Sequence, residues 1–504
     1  MLPRVASFPF YCFLLPLFFV FHVVNNYFGL IEVGYVFRYI FIYCILSAVL
    51  LLLGYWLFRS VIKAGTWTCI LLIIFLFFGY IHDFIKSFAP VSFFTSYSFI
   101  LPLIAVLFIV LTIYVRKSRH NFKQLHKYFT ILALLLTALE IALLTPKLIS
   151  PHSTGNNFAH KDEPVATHIA NCSNCVKPDI FFIVFDEYPS SKSLQQHFGF
   201  DNAALDTALQ KNGFYVATQS QSNYNITPLS LASTLNMQYF QQRLPANPTN
   251  TLPWLQAWHT LKMSRLPDSL SSNGYRVLNY GFCNFNAGKT KMPEFFAGHE
   301  KKTLYLETLY GRIMRDVWWN LVKAPVISSI AKTNTTAGKQ NWVNRHKATL
   351  NDVLQELKTQ EAQPKFVFGH FMMPHEPFYV NRKGEIINDP YYTSMPLTKE
   401  RYLEQLRYTN LWIDSLSKAA NTGQFPRPRI VIIEGDHGYR GENFDEPGQF
   451  DNLNAYYFSD NDYSLLYDSI SPVNSFRVVL NKYFNAGLPL LKDSIAKFEA
   501  KARH

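Results

Sequence analysis

Five apolar stretches crowd the start of the chain, at 8–24, 39–58, 66–81, 97–115 and 128–145, and nothing else constrains its folding as strongly. A helix of about 20 apolar residues crosses the roughly 30 Å hydrocarbon core of a bilayer. Each stretch is therefore read as a span, the third being the shortest. The first is read as a span rather than a signal peptide, because VVNN offers no small-residue cleavage site and four more stretches follow.

The loops orient the spans. The formal net charge is +12, but much of the surplus sits in short loops between apolar stretches, where it sets topology, so nucleic acid is not expected as a partner. The run RKSRHNFKQLHK supplies Arg116, Lys117, Arg119, Lys123 and Lys127 with no acid, which places that loop in the cytoplasm. Arg59 and Lys63 put the second-to-third loop on the same side, and Arg38 and Lys86 are lone charges opposite. The expected protein is multi-pass in a cytoplasmic (inner) membrane, with its N-terminus cytoplasmic and everything past Thr145 extracytoplasmic. Glu140, within the fifth stretch and near its outer end, is read as snorkelling or pairing helices and is given no role.

Of six cysteines, Cys12, Cys44 and Cys69 lie in the apolar stretches and read as fillers. Cys172 and Cys175 form NCSNC in a compartment where disulfides persist, so a local disulfide is expected, with Cys283 left outside it.

The rest of the chain reads as soluble. A polar linker is expected at 146–177, between a membrane domain at 1–145 and a catalytic domain at 178–504. Strand candidates fall at 179–185, 214–218, 275–280, 365–370 and 429–435, several of them continuous apolar runs of the kind buried on both faces. Helical patterns at 201–212, 228–239, 266–273, 342–358, 399–420 and 474–484 alternate with them. The expected fold is α/β, a mostly parallel sheet covered by helices on both faces.

In such sheets function gathers just past the carboxyl ends of strands. The first strand leads to Asp186 and Glu187, the fourth to His370 and His375 in GHFMMPHEPF, and the fifth to Asp436 and His437 in EGDHGYRGE. Carboxylates and imidazole suit a divalent cation, and manganese, zinc and magnesium all stay open. SNYNITPLSLASTLNM opens a helix, with Thr227 as N-cap and Pro228 at N1. The same helix N-terminus is suited to an incoming phosphate, and metal coordination would make the Thr227 hydroxyl a nucleophile. Ser230 and Ser233 read as packing or capping locally.

These residues give the soluble part a resemblance to the alkaline phosphatase and sulfatase superfamily. Its membrane-anchored branch, the lipoteichoic acid synthases and lipid A phosphoethanolamine transferases, resembles the whole layout. The resemblance implies an alkaline-phosphatase-like fold. It makes Asp186 the first-strand metal ligand, Glu187 the second acid of the sulfatase pair, Thr227 the nucleophile and also a metal ligand, and Asp436 and His437 the late ligands. His375, in a spacing similar to the H-x-x-x-x-H-x-P of phosphoethanolamine transferases, becomes a substrate-binding or acid/base histidine, with His370 a weaker candidate. Arg440 is read either as a phosphate contact or as a solvated loop charge, and Trp342 and Arg345 as further residues near the substrate. One departure matters. Sulfatases carry C-x-P-S-R or S-x-P-S-R, whereas this chain has Thr227-Pro-Leu-Ser-Leu, without the convertible residue or the arginine.

The implied activity is transfer of a phospholipid head group, phosphoethanolamine or phosphoglycerol in type, through a phosphothreonine to a cell-envelope glycan or lipid. Hydrolysis of phosphate esters by a phosphodiesterase or phosphatase shares the first half of that reaction, and a non-catalytic ligand-binding membrane protein is a third reading.

Overall fold

DIFFIVF becomes β1 (Asp179–Phe185), all seven residues of which are buried, because a strand lined on both faces needs an unbroken apolar run. The computed structural model that shows this describes residues 8–88, 93–149, 175–240, 252–292, 299–318, 336–387, 399–423, 426–441 and 447–497. The chain divides into two units, Met1–Gly155 with Gly298–Lys332, and Asn156–Ala297 with Thr333–His504.

The first unit is helical: α1 (Tyr11–Asn26), α2 (Val33–Phe58), α3 (Val61–Leu76), α4 (Phe78–Phe88), α5 (Tyr97–Lys117) and α6 (Lys123–Ile149). Three of these, α2, α5 and α6, are long and apolar enough to cross a membrane, and α3 with α4 makes a fourth if that pair, bent by 62°, counts as one span. The sequence expectation of five spans thus meets a shorter first helix of 16 residues and a third stretch broken at Phe77. Glu140 does not snorkel. It is buried, with Asn25 Nδ2 donating to its Oε2 at 2.6 Å and His22 Nδ1 2.8 Å from its Oε1, so the carboxylate pairs α6 with α1.

Residues 299–318, read from the sequence as part of the catalytic domain, cluster instead with these helices. Gly79 N donates to Glu307 O at 2.8 Å, and a Cβ on Gly79 would stand 2.1 Å from Glu307 Oε2, so a side chain there would have to displace the Glu307 and Arg312 side chains. Arg312 then pairs with Asp83 (2.6 Å) and with Glu307.

The second unit is built on a six-stranded sheet of order β2-β6-β5-β1-β4-β3. Besides β1, its strands are β2 (Tyr215–Val216), β3 (Arg276–Tyr280), β4 (Lys365–Phe371), β5 (Arg429–Gly435) and β6 (Asn454–Phe458). β1 pairs in parallel with β4 and β5, and β3 with β4, while β6 runs antiparallel to both β5 and β2. The sheet is therefore mixed. NAYYF, absent from the strand candidates, is the return strand that makes it so.

Side-chain alternation splits β1 between two cores. Ile180, Phe182 and Val184 face α9 (Thr227–Asn236), α10 (Leu252–Lys262), α11 (Arg265–Ser272) and α14 (Pro472–Phe484). Phe181, Ile183 and Phe185 face α7 (Ser191–Phe198), α8 (Ala203–Lys211), α12 (Thr336–Lys358) and α13 (Lys399–Ala420). α7 and α10 were not anticipated, although α7 carries a signal: Ser190 Oγ accepts from Ser193 N, and Gly199 closes the helix at φ 63°. The linker expected at 146–177 lies mostly outside the described residues, and its start continues α6 to Ile149. Cys175 is disulfide-bonded, Cys172 lies outside the described residues, and Cys12, Cys44, Cys69 and Cys283 remain thiols.

Candidate active site

β1 lies between β4 and β5, and parallel neighbours bring their carboxyl ends to one edge. Register then sets which residues meet. His370 and Glu434 both pair with Val184, on the face covered by α9. Asp186 and Asp436 follow two residues on, beyond β1 and β5.

The result is a buried cluster. Ligand atoms of Asp186, His370 and Asp436 lie within 4.8 Å of one another. His370 Nε2 is 3.6 Å from Asp186 Oδ2, while His437 Nε2 is 3.8 Å from Asp186 Oδ1 and 3.5 Å from Asp436 Oδ2. Thr227 Oγ1 stands 3.4 Å from the same His437 nitrogen. The proposed ligands Asp186, Thr227, Asp436 and His437 are thus brought together, and His370, the weaker candidate, stands among them.

Thr227 reaches the cluster because it opens α9, whose ten residues are all buried. Ile226 occupies the cap position and no side chain caps this end, so the Thr227 hydroxyl is not used as the N-cap that the sequence suggested. Ser230, read as a local packing residue, donates Oγ to Asp436 O at 2.5 Å and ties α9 to the Asp-His turn. Gly438 lets the next segment close. A Cβ there would lie 2.1 Å from Gly448 O, and its N–H donates to Gln449 O at 2.9 Å. Gln449 Oε1 in turn accepts from Asn225 Nδ2 at 3.1 Å, two residues before Thr227.

Glu187 adopts φ 62°, a left-handed conformation that costs a non-glycine residue about 1–3 kcal/mol. That turn lets its N–H donate to Asp436 Oδ1 at 2.9 Å. Glu187 Oε1 accepts from Arg440 N at 2.8 Å, and Oε2 lies 3.9 Å from His375 Nε2. Arg440 Nη2 is 3.2 Å from that histidine nitrogen, so Glu187, His375 and Arg440 form an outer triad beside the buried cluster. Trp342 stacks on His346 at 3.9 Å, and Phe282 lies between His346 and His370 at 5.6 and 5.2 Å. Arg345 is exposed. His346, which the sequence reading passed over, is buried, and burial brings its imidazole down to about 4.

The electrostatics suit a cation. Burial opposes charge on Asp186, yet His375, His370 and His437 prevail and hold its carboxyl well below the ordinary range. Burial, and then Asp186 itself, push Asp436 up to about 7. His437 is held far below its usual value by burial and then by Arg440. Its Nδ1 lies 2.8 Å from Gly438 O, which makes Nδ1 the donor and leaves the Nε2 lone pair facing the cluster. Burial lowers His375, but Asp186 and Glu187 outweigh it and raise the imidazole above its usual value. Asp186 Oδ1, His370 Nε2 and Asp436 Oδ2 are buried without a hydrogen-bond partner among the described residues. Orphaned acceptors converging from two carboxylates and an imidazole fit a divalent metal ion.

No curated protein matches the sequence. Among solved structures, the C-terminal periplasmic domain of EptC from Escherichia coli in a complex with Zn is 13% identical, with a TM-score of 0.38 over 64% of this chain and 89% of that one. The corresponding domain of the phosphoethanolamine transferase EptC from Campylobacter jejuni is 12% identical, with a TM-score of 0.33 over 62% and 92%. A Bacteroides thetaiotaomicron protein of glycosaminoglycan metabolism is 14% identical, with a TM-score of 0.37 over 63% and 74%. The sulfatase family profile matches residues 178–477, which take in β1, Thr227 and the Asp-His turn, and the chain belongs to the sulfatase family.

Proposed function

We propose that the protein is a metal-dependent phosphoryl transferase that moves a phospholipid head group, phosphoethanolamine or phosphoglycerol in type, through a phosphothreonine at Thr227 to a cell-envelope glycan or lipid. The observation that carries this reading is the placement of Thr227 Oγ1. It lies at the N-terminus of a buried helix, 3.4 Å from His437 Nε2 and beside the orphaned oxygens of Asp186 and Asp436. Sulfate-ester chemistry through a converted cysteine or serine is disfavoured, because Thr227 and Leu231 stand where that motif has the convertible residue and the arginine.

Asp186, Asp436, His437 and Thr227, with His370, would hold the divalent ion, for which manganese, zinc and magnesium are all suitable. Bound there, it would lower the pKa of the Thr227 hydroxyl and neutralise charge on phosphate oxygens. The chain's own groups do the rest. Thr227 Oγ1, its own proton already released to solvent, attacks phosphorus in line as the bond to the lipid alcohol breaks, and it departs again as the alkoxide when the acceptor displaces it. The first-turn dipole of α9 favours the phosphate charge. His375, whose imidazole Asp186 and Glu187 raise above its usual value, delivers a proton to the departing diacylglycerol oxygen and then takes one from the acceptor hydroxyl that attacks phosphothreonine. Arg440 binds a phosphate oxygen from the outer triad.

Five spans complete the reading, with α1 and the bent α3–α4 pair crossing alongside α2, α5 and α6. The loop at 116–127 is then cytoplasmic and the second unit extracytoplasmic. Labelling of cysteines introduced at Ser118 and Lys192 in intact cells tests this: only the second should react with an impermeant reagent.

The chemical test incubates the metal-loaded full chain with vesicles of phosphatidylethanolamine or phosphatidylglycerol. Diacylglycerol release with a head-group phosphate adduct at Thr227 by mass spectrometry is expected. Free head-group phosphate formed at the same rate with and without an acceptor glycan would make the enzyme a hydrolase. Full turnover by Thr227→Ala would remove the nucleophile assignment.

A further inference from the structure

The last described stretch of the chain, Leu488–Ala496, takes no part in the sheet, yet its hydrogen bonds converge on the segments that flank the helix carrying Thr227. Asn223, fully buried four residues before Thr227, is the main anchor. Its Nδ2 donates to Ser494 O at 3.0 Å and to Tyr239 OH at 2.9 Å, its Oδ1 accepts from Val473 N at 2.8 Å, and its backbone O accepts from Ala496 N at 2.9 Å. Tyr224 beside it forms a parallel bridge with Ala496. The other end of α9 is tied to the same stretch. Arg477 donates Nε to Met237 O and Nη1 to Pro489 O, both at 2.8 Å, and Tyr239 OH donates to Lys492 O at 2.9 Å.

The stretch is itself pinned to α14. Asp493 Oδ1 accepts from Ser471 Oγ at 2.6 Å, Ser471 N at 3.1 Å, Tyr467 OH at 3.2 Å and Asn474 Nδ2 at 3.2 Å. Asn474 also exchanges two bonds with the backbone of Leu491. On the opposite side of the Thr227 approach, Ser222 N donates to Phe450 O at 2.7 Å and Gln221 Nε2 to Asp451 Oδ1 at 2.9 Å. The loop is therefore clamped between the segment that follows Asp-His-Gly and the C-terminal stretch.

We infer that Leu488–Ala496 is a brace that positions the nucleophile: it holds both ends of α9 so that Thr227 Oγ1 keeps its place against His437 and the two aspartates. This rests on Thr227 being the reacting group. A displacement of about 1 Å is enough to cost a reaction of this kind about a hundredfold, and the brace acts on the loop that sets that distance. Asp493 and Asn223 are positioning residues, since neither touches the cluster.

The test compares Asp493→Ala with Asp493→Asn in the metal-loaded full chain, with Thr227→Ala as control. Asp493→Asn keeps the accepting Oδ1 and should behave as wild type. Asp493→Ala should lower kcat for head-group release by about ten- to a hundredfold, with KM within about twofold and bound metal unchanged. Hydrogen exchange of peptides spanning 220–230 should quicken in Asp493→Ala alone, and this is read whether or not either lipid is turned over. Wild-type exchange in Asp493→Ala would overturn the brace, as would a kcat loss that also appears in Asp493→Asn or that only follows a lowered melting temperature. Full activity in Thr227→Ala would instead overturn the nucleophile reading, and an inactive Thr227→Ala beside an unimpaired Asp493→Ala would overturn the brace alone.

Discussion

Each unit buries an acidic group, and the two are treated in opposite ways. Glu140 has a partner for each carboxylate oxygen, from Asn25 and His22. Among the described residues, one oxygen each of Asp186 and Asp436 has no hydrogen-bond partner, and neither has His370 Nε2. A buried polar group left unmade costs about 1–3 kcal/mol, so a fold retains several together only where something else satisfies them. The satisfied cluster is structural and pairs two helices. The unsatisfied one is the proposed metal site. The surroundings differ as well: in the helical unit large apolar side chains such as Phe41, Leu52 and Trp56 face outward, whereas β1 is buried on both faces.

The strongest way to break this comparison is Thr227→Ala, which should lower head-group turnover by at least about a thousandfold while the protein melts as before. A comparable loss from Glu140→Ala, measured per folded molecule, would erase the distinction between the clusters. Chelation comes next. Removing the ion should abolish turnover and lower the unfolding free energy of the second unit by about 3 kcal/mol at an ion concentration a hundredfold above Kd. Calorimetry with and without added Mn, Zn or Mg reads this and ranks the three. Glu140→Ala should then cost about 1–3 kcal/mol, because Asn25 and His22 lose their acceptor inside the protein, and detergent-resistant folding assayed by proteolysis would register it.

The smallest effect sharpens the comparison within the site unit. Glu434 is fully buried next to the cluster with neither carboxylate oxygen partnered among the described residues, and burial followed by Asp436 raises its pKa well above the ordinary range. A carboxyl with a raised folded-state pKa binds its proton more tightly folded than unfolded. Stability is therefore greatest below the unfolded carboxylate pKa and falls as the pH rises above it. Glu434→Gln should remove that decline and be neutral or stabilising by about 1 kcal/mol near neutral pH, as pH-dependent denaturant titration would report.

Much of the site could be read directly, since Asp186, Asp436 and His437 each sit just past an unbroken apolar strand and Thr227 opens a helix beside Pro228. His370 is the weaker candidate in the sequence, where a lone histidine is more often packed or solvent-facing than a ligand. The β1–β4 register sets it opposite Val184 on the α9 side. Trp342 and Arg345 diverge for a similar reason: on a helix three residues apart, one packs on His346 and the other is exposed. The break at Phe77 was hidden because the apolar composition continues across it.

By itself the sequence determined the local facts: which stretches are apolar enough for lipid or a two-faced strand, where the basic loop lies, and that a threonine replaces the convertible residue of sulfatases. These depend on composition and on neighbours along the chain. Packing alone shows that residues 299–318 cluster with the N-terminal helices, that β6 returns antiparallel, and that the C-terminal stretch bonds to Asn223 and Arg477. Each of these depends on pairings between residues far apart in the chain, where hydrogen bonds and close approach are settled by the packing of the whole unit and leave no period or motif to read.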